Sequence, residues 1–498
     1  MSLTTINPST SLPAKIESTA LSLSTKLIYG SGDWGRASFN TLRQIFYAIF
    51  LTDVVGIDPR LASIAALIST LWDAINDPLV GSISDKVHSK FGRRRPFLLI
   101  FAIPFTFAFM ILWWAPPWHS QIALTVTVTL AYMIADTIQT LVTVPYLALT
   151  PDLARDYDQR TSLTSYRMFF NLVASLVTAV SAPMIVDAAL KSGAGTQQGY
   201  MIVAALFGGF AAIPFLIIFF RIKERPVDAE EKLEKVTLGK TIRVLVDNGP
   251  FRFATGIYVL NWISFDLVSL MLPYFLIYWV NQGNMISQVS VFGMDISLTS
   301  VVLGVLMIVA VMALPLWSAI AQKFSKRWAY IVGMVFWIGV QMLIFSIQPG
   351  SVTFIIILAA LAGLSVSTAH VMPEAIFPDV IDWDELRTHK RREGTYYGAI
   401  NFLRKVSSAG AIFLALQVLG WFGYKSPPEN ALHFTQSPIT LTAIRYLTGP
   451  IVAFLLLVAI FVAWRYPLSR ERQRRIQKAL IRRKNRKPNL KTEEIRSE

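Results

Sequence analysis

Hydrophobic positions in this chain neither alternate nor trace one face of an amphipathic helix; they come in long, nearly unbroken blocks. Twelve such blocks can be marked, near 26–51, 60–84, 96–115, 121–150, 162–187, 199–221, 251–280, 297–322, 328–347, 351–377, 394–423 and 438–464. Each is long enough to cross a bilayer core of about 30 Å as a helix. The polar stretches between them fall into two sets. Loops 85–95, 151–167, 222–250, 323–327 and 378–393 are rich in Lys and Arg. The alternate loops, 52–59, 116–120, 188–198, 281–296, 348–350 and 424–437, hold only Lys191 and Lys425, with Arg60 at a border. Basic loops stay in the cytoplasm, so both termini are expected there, in the plasma (inner) membrane. An all-α membrane protein of twelve helices is the fold class this implies.

The longest basic loop separates the blocks into two sets of six. The predicted organisation is a cytoplasmic segment 1–25, a six-helix bundle 26–221, a linker 222–250, a second bundle 251–464 and a basic tail 465–498. The halves repeat. DPLVGSISDK at 77–86 meets LPLWSAIAQK at 314–323 with an offset of 237, and Arg167 meets Arg404 at the same offset. Pro151-Asp152 has its counterpart in Pro378-Asp379. A duplicated six-helix unit is transporter architecture, with a central site between the repeats.

Ionisable residues inside the blocks point to that site. The second block contains WDAINDP, which puts Asp73 and Asp77 one turn apart on one face with Asn76 near them and Pro78 directly after. Carboxylates at membrane depth need a counter-charge or a wet cavity. This pair makes an oxygen half-site for Na+ or a shared proton; the bland reading is neutralisation by a neighbouring Arg or Lys. Leu314 stands where the repeat would place Asp77, so the half-site is confined to the first half. Asp33, Trp34, Arg36 and Arg43 lie in the first block, Asp136, Thr140 and Thr143 in the fourth, Arg167 at the start of the fifth, Asn261 and Asp266 in the seventh. His370 and Glu374 follow in the tenth, Arg404 and Lys405 in the eleventh, and Arg445 in the twelfth. Arg43, Asp136 and Arg445 read most simply as structural pairs or snorkelling groups, and His370 as a packed histidine. Asp266 and Glu374 stay open between the two readings. Arg167 and Lys405 occupy near-equivalent places and could clamp a substrate, although Lys405 could instead neutralise Asp73 and Asp77. Trp34 is placed to stack on a sugar ring, whereas Trp113, Trp114, Trp118 and Trp421 read as the aromatic belt of the membrane interface.

Composition narrows the classes further. Of 498 residues, 54% are hydrophobic and 15% charged, with mean hydropathy +0.50, against about 25% charged in soluble domains. Cysteine is absent, which excludes disulfides, thiolate metal sites and cysteine nucleophiles. No hydrophobic leader precedes the first block, so no cleavable signal peptide is expected. The net charge of +15 is no nucleic-acid signal: residues 465–498 hold 13 Lys/Arg against 4 Asp/Glu, a basic tail suited to anionic lipid after a membrane helix.

The motifs YGSGDWG at 29–35, FLTDVVG at 50–56, WDAINDP at 72–78, SKFGRRRP at 89–96, VPYLALTPDL at 144–153 and PDVIDWDELRTHKRREGTYYGAI at 378–400 together resemble the glycoside–pentoside–hexuronide:cation symporters of the major facilitator superfamily, typified by the melibiose carrier. The resemblance spans about Leu27 to Gly420. It implies two pseudo-symmetric six-helix bundles, Asp73, Asn76, Asp77 and Thr140 as cation ligands (Asp73 and Asp77 on Na+ if sodium is coupled), and Arg167 and Lys405 in the substrate pocket. Where the family grips sugar hydroxyls with two aspartates this chain has Ala37 and Thr143, and the expected pocket tryptophans are replaced by Leu147 and His370. Substrate contacts are therefore expected from Asp33, Trp34, Arg36, Thr143, Arg167, His370 and Lys405. Fewer carboxylates beside Arg36, Arg167 and Lys405 suggest an acidic sugar derivative. Asp85, Arg93, Arg94, Asp379 and Asp382 are expected to latch the cytoplasmic side.

The expected function is Na+- or H+-coupled symport of a sugar-type solute by alternating access, in a monomer with no cofactor beyond the coupling ion. A lipid or lysolipid transporter of the same fold is the alternative. A membrane-embedded glycoside-processing enzyme is remote: glycoside hydrolysis needs carboxylates on both sides of the scissile bond, and Asp73 and Asp77 sit on one helix. The chain is read as no enzyme.

Overall fold

The computed structural model describes residues 21–87, 89–154, 157–224, 245–291 and 293–497. The segment 1–20 and most of the linker, 225–244, lie outside these residues, so the expectations for the N-terminal segment and the linker have no structural counterpart.

The helices follow the apolar blocks: α1 (Leu23–Ser31), α2 (Asp33–Ile49), α3 (Pro59–Lys86), α4 (Arg95–Leu112), α5 (Gln121–Leu153), α6 (Tyr157–Lys191) and α7 (Thr196–Arg221) build the first half. The second half comprises α8 (Gly249–Tyr274), α9 (Leu298–Lys323), α10 (Lys326–Phe345), α11 (Val352–Thr388), α12 (Glu393–Trp421), α13 (Pro438–Thr448) and α14 (Pro450–Trp464), followed by α15 (Arg470–Ser497) in the tail. Polar caps set the starts. Asp58 accepts the Arg60 backbone N–H at 2.8 Å ahead of Pro59, and Asn248 accepts that of Phe251 at 3.1 Å. Among the described residues ten spans are long and apolar enough to cross a membrane; the first two predicted blocks fall short because they are broken or loaded with charge. Those two carry much of the site chemistry.

Four features depart from the sequence pattern. The first block is not one rod: α1 ends at Gly32, where an added Cβ would lie 2.6 Å from the Tyr146 ring, and α2 ends in a π turn over Phe50–Val54. The last block breaks at Gly449-Pro450. Helix α11 runs through Pro373 and Pro378 to Thr388, about 55 Å at 1.5 Å per residue, so Asp379 and Asp382 stand on a helix beyond the bilayer core and not in a loop. A hairpin of β1 (Gln288–Val291) and β2 (Met294–Ser297) decorates the loop after α8.

Helix α3 shows how the chain divides its faces. Ile68, Leu71, Ile75, Leu79 and Ile83 recur at helical spacing and are 44–57% exposed, a stripe for lipid. Ser69, Asn76, Val80 and Ser84 are buried on the rest of the helix. Pro78 cannot donate to the carbonyl four residues back, which loosens the helix beside Asp77. The halves meet along α3 with α12, α6 with α9, and α2 with α8. Within the second half α9 and α11 approach so closely that a Cβ on Gly363 would lie 2.4 Å from the Leu306 carbonyl. Gly363→Ala is expected to lower stability by about 1–3 kcal/mol, read as a lower melting temperature of the purified protein.

Trp113, expected in the interfacial belt, is 1% exposed and stacks on Tyr200 at 5.0 Å. Trp114, Trp118 and Trp421 are exposed as a belt requires.

Candidate functional site

Asp73 and Asp77 project from α3 toward α12, which answers with Lys405. The ammonium lies 2.8 Å from Asp73 Oδ1, 2.6 Å from Asp77 Oδ2 and 3.1 Å from the Asp73 carbonyl. Thr140, on α5, donates to Asp77 Oδ1 at 3.2 Å. These atoms form an all-oxygen cradle with a tethered monovalent cation inside. Asp73 is 14% and Asp77 42% exposed, so the cradle is wet on one side. Asn76 does not join: it is buried a third of a turn away, and its Nδ2 has no partner among the described residues. Lys405 therefore takes the second of the two roles open to it in the sequence, counter-ion to the acid pair. Arg43 and Asp136 pair beside it at 3.2 Å, and Arg445 packs on Trp279 and Phe345.

A second cluster centres on Asp33, which is fully buried. Arg36 Nε meets its Oδ1 and Arg167 Nε its Oδ2, both at 2.6 Å. Tyr146 donates to Oδ2 at 3.4 Å and to the Tyr29 carbonyl at 2.8 Å. Asp33 is thus the shared counter-ion of two arginines and has no free oxygen for a solute. Arg36 keeps its outer guanidinium edge unengaged among the described residues, on a side chain 25% exposed. Trp34 is half-buried, with its indole N–H lacking a partner among the described residues. Thr143 is buried one turn from Thr140.

The second half repeats this device. Arg404, the counterpart of Arg167, binds Asp266 with two nitrogens at 2.7 and 3.1 Å and stacks on Trp262 at 4.0 Å. In each half, then, an arginine of the fifth spanning helix is fixed by an aspartate of the first. Asp266 also accepts Gln44 Nε2 at 2.8 Å, which joins the halves. His370 packs edge-on against Phe265 and Trp262 at 4.6 and 5.1 Å, its Nδ1 3.2 Å from the Val366 carbonyl, with its far side exposed.

At the ends the two sides differ. Away from the basic loops, Asp53 on the π turn accepts the hydroxyls of Thr52 at 2.7 Å, Tyr278 at 2.6 Å and Tyr424; Thr52 also meets Tyr274 at 2.9 Å. Gln417 reaches Ser63 across the same seam at 2.9 Å. These bonds tie the halves together beneath a cavity of about 760 Å³ lined by Asp53, Trp114, Trp118, Asp187, Tyr200 and Glu429. Sequence reasoning missed Asp53 although its motif was quoted, because tyrosine partners carry no charge signal.

At the basic end the expected latch residues pair inside their own halves. Arg94 binds Asp152 at 2.6 Å and the Ala148 carbonyl, and reaches Asp85 at 3.5 Å. Arg93 lies 4.0 Å from Glu224. Asp379 holds Lys326 at 2.9 Å, and Asp382 meets Arg391 at 3.6 Å and Gln473 of the tail at 3.1 Å. Asp85 is 56% exposed, so its share is small. The repeated element is the aspartate of the Pro-Asp step, Asp152 or Asp379, on a cation at the start of the third spanning helix.

The profile described as "MFS/sugar transport protein" matches residues 28–470. An uncharacterized symporter of Synechocystis is 29% identical over 90% of this chain and 95% of its own length. A sodium-dependent lysophosphatidylcholine symporter of Danio rerio is 24% identical over 91% of this chain and 87% of its own. A putative 2,3-dihydroxypropane-1-sulfonate exporter of Salmonella typhimurium is 26% identical over 85% and 87%. Among solved structures, the inward-open xylose transporter XylE of E. coli superposes with a TM-score of 0.59 at 14% identity, covering 92% of this chain and 99% of that one. The chain therefore belongs to the MFS/sugar transport protein family: an integral membrane secondary transporter, not an enzyme, with two pseudo-symmetric six-helix halves.

Proposed function

We propose that the protein is a cation-coupled symporter, with Na+ as the coupling ion, for a polar, sugar-sized solute. The observation that carries this reading is the Lys405 ammonium lodged between Asp73 and Asp77. A tethered cation there neutralises the empty carrier, and a dissolved cation of the same charge competes for the same oxygens. Na+ entry then releases Lys405 into the cavity, so ion binding changes the charge beside the solute. The linkage is reciprocal: solute must tighten ion binding by the same factor.

The basic end is assigned to the cytoplasm, and the structure to the inward-open state. In this assignment the Asp53–Tyr278–Tyr424 seam is the closed outer gate, and Arg94–Asp152 and Lys326–Asp379 are latch halves that have separated. The tail's basic residues then face anionic lipid. Asp53→Ala removes the charge-assisted bonds of that gate, worth about 1.5–3 kcal/mol each. A His370→Cys reporter in this cysteine-free chain, below that gate, is expected to react at least about tenfold faster with an impermeant maleimide from outside when Asp53 is alanine; an unchanged rate would remove Asp53 from the gate.

Charge balance bears on the solute. Setting aside Asp53, Asp187 and Arg445 at the outer end, the described groups around the centre are five cations (Arg36, Arg43, Arg167, Arg404, Lys405) against six carboxylates (Asp33, Asp73, Asp77, Asp136, Asp266, Glu374). One Na+ brings this formal count to zero, and a solute without net charge keeps it there during the crossing. The acidic sugar suggested by Arg36, Arg167 and Lys405 loses support, since all three are paired with protein carboxylates, the two arginines with Asp33 and the lysine with Asp73 and Asp77. The amphiphile reading keeps one structural argument: an apolar groove of about 350 Å³ lined by Phe107, Met110, Ile111, Ile134 and Ile138 shares Trp114 with the outer cavity. Stabilisation of the purified protein by Na+ in the absence of solute tests the coupling, and stabilisation by lipids alone would favour the amphiphile.

A further inference from the structure

We propose that the solute is a zwitterion, its anionic group taken by Arg36 and its ammonium group by Glu374; this rests on the symport reading above.

Among the described carboxylates around the centre, Glu374 is the one that the ion pairs leave over. It is exposed on α11, one turn from the exposed side of His370, and makes no hydrogen bond or ion pair among the described residues. Its nearest cation, Arg404, is spent on Asp266 and on the Trp262 face. A carboxylate one turn from the aromatic cluster of His370, Trp262 and Phe265 attracts an ammonium by its charge, with ring faces close to it in the fold. A lone charge at membrane depth is costly, so an arriving counter-charge is worth more there than at a surface.

The repeat fixes the depth of this carboxylate. The offset that superposes Pro151-Asp152 on Pro378-Asp379 places Glu374 opposite Leu147 and His370 opposite Thr143. Leu147 adjoins Tyr146, whose hydroxyl touches Asp33. Glu374 therefore stands in the second half at the level where Arg36 and Arg167 share Asp33 in the first. The first wall has two cations to one anion, with the Arg36 fork open; the second has a matched Arg404–Asp266 pair plus Glu374. By this repeat relation, opposite single charges stand at one level, Arg36 in the first half and Glu374 in the second. A neutral sugar would leave both unanswered, and an anion would answer only one.

The test uses two charge-matched series added to the purified full-length protein with Na+ present: glucosamine 6-phosphate, glucose 6-phosphate, glucosamine and glucose; and glycerophosphocholine, glycerol 3-phosphate, choline and glycerol. In at least one series the zwitterion is expected to protect against thermal unfolding at about tenfold lower concentration than its anionic, cationic and neutral counterparts. Glu374→Gln is expected to unfold without ligand at the parent's temperature, to erase that advantage and to leave zwitterion and anion equal. Equal or better protection by a neutral or anionic member, an advantage that survives Glu374→Gln, or no protection by either zwitterion overturns the proposal. The series that responds tells a sugar from a glycerophospho scaffold. Protection by Na+ alone is read in the same assay, so a failed coupling reading shows separately from a failed zwitterion.

Discussion

Replacing Asp33 with asparagine is expected to produce little folded protein. The residue is fully buried and balances Arg36 and Arg167 at 2.6 Å each, so the substitution leaves two guanidinium groups inside the membrane with no carboxylate. Breaking a buried pair by removing one partner costs about 3–5 kcal/mol. That is a large part of the 5–15 kcal/mol or so by which proteins are stable. The check is the yield of monodisperse protein in mild detergent and its melting temperature. A variant that melts like the parent would show that Asp33 serves the solute and not the fold. The related variant Asp266→Asn should be milder, because it orphans one arginine and not two, and Arg404 keeps the Trp262 face at 4.0 Å.

Asp77→Asn is expected to fold and to lose coupling. Lys405 retains Asp73 at 2.8 Å and the Asp73 carbonyl at 3.1 Å, so no buried cation is orphaned. The cradle loses one of its two charges and one of the two Asp77 oxygens, an amide nitrogen taking its place. Na+ affinity should fall about 100-fold, about 2.7 kcal/mol, and Na+ should no longer raise the melting temperature over a range where the parent responds. Retained Na+ stabilisation would place the ion elsewhere.

The helices were legible because a bilayer demands them: a backbone with no water to bond must close its hydrogen bonds within long apolar segments, and the blocks show it. The second block was readable down to the proline beside its acid pair, whereas its Asp58 cap was not read from the sequence. The break at Gly32 was not, since its cause is the Tyr146 ring, 114 residues away in sequence. Trp113 looked interfacial from its place at a helix end and proved to be core, because Tyr200 covers it. In the site, Asp73, Asp77 and Thr140 come together, whereas buried Asn76 makes no hydrogen bond to them among the described residues. Arg404 was flagged by its offset to Arg167, but the partner Asp266 was not, because the repeat has slipped by one turn there. Asp53 was the least visible: it is bonded by tyrosines 225 and 371 residues away, and no charge pattern marks such partners.

The claim that Asp73 and Asp77 form the coupling-ion site is tested most directly without knowing the solute. The purified protein is reconstituted into liposomes on a solid-supported membrane, and the charge displaced by a Na+ concentration jump is recorded at fixed ionic strength. The account predicts a transient current that saturates with Na+ in the parent and is absent in Asp77→Asn. No transient in the parent, or an equal one in Asp77→Asn, would contradict it.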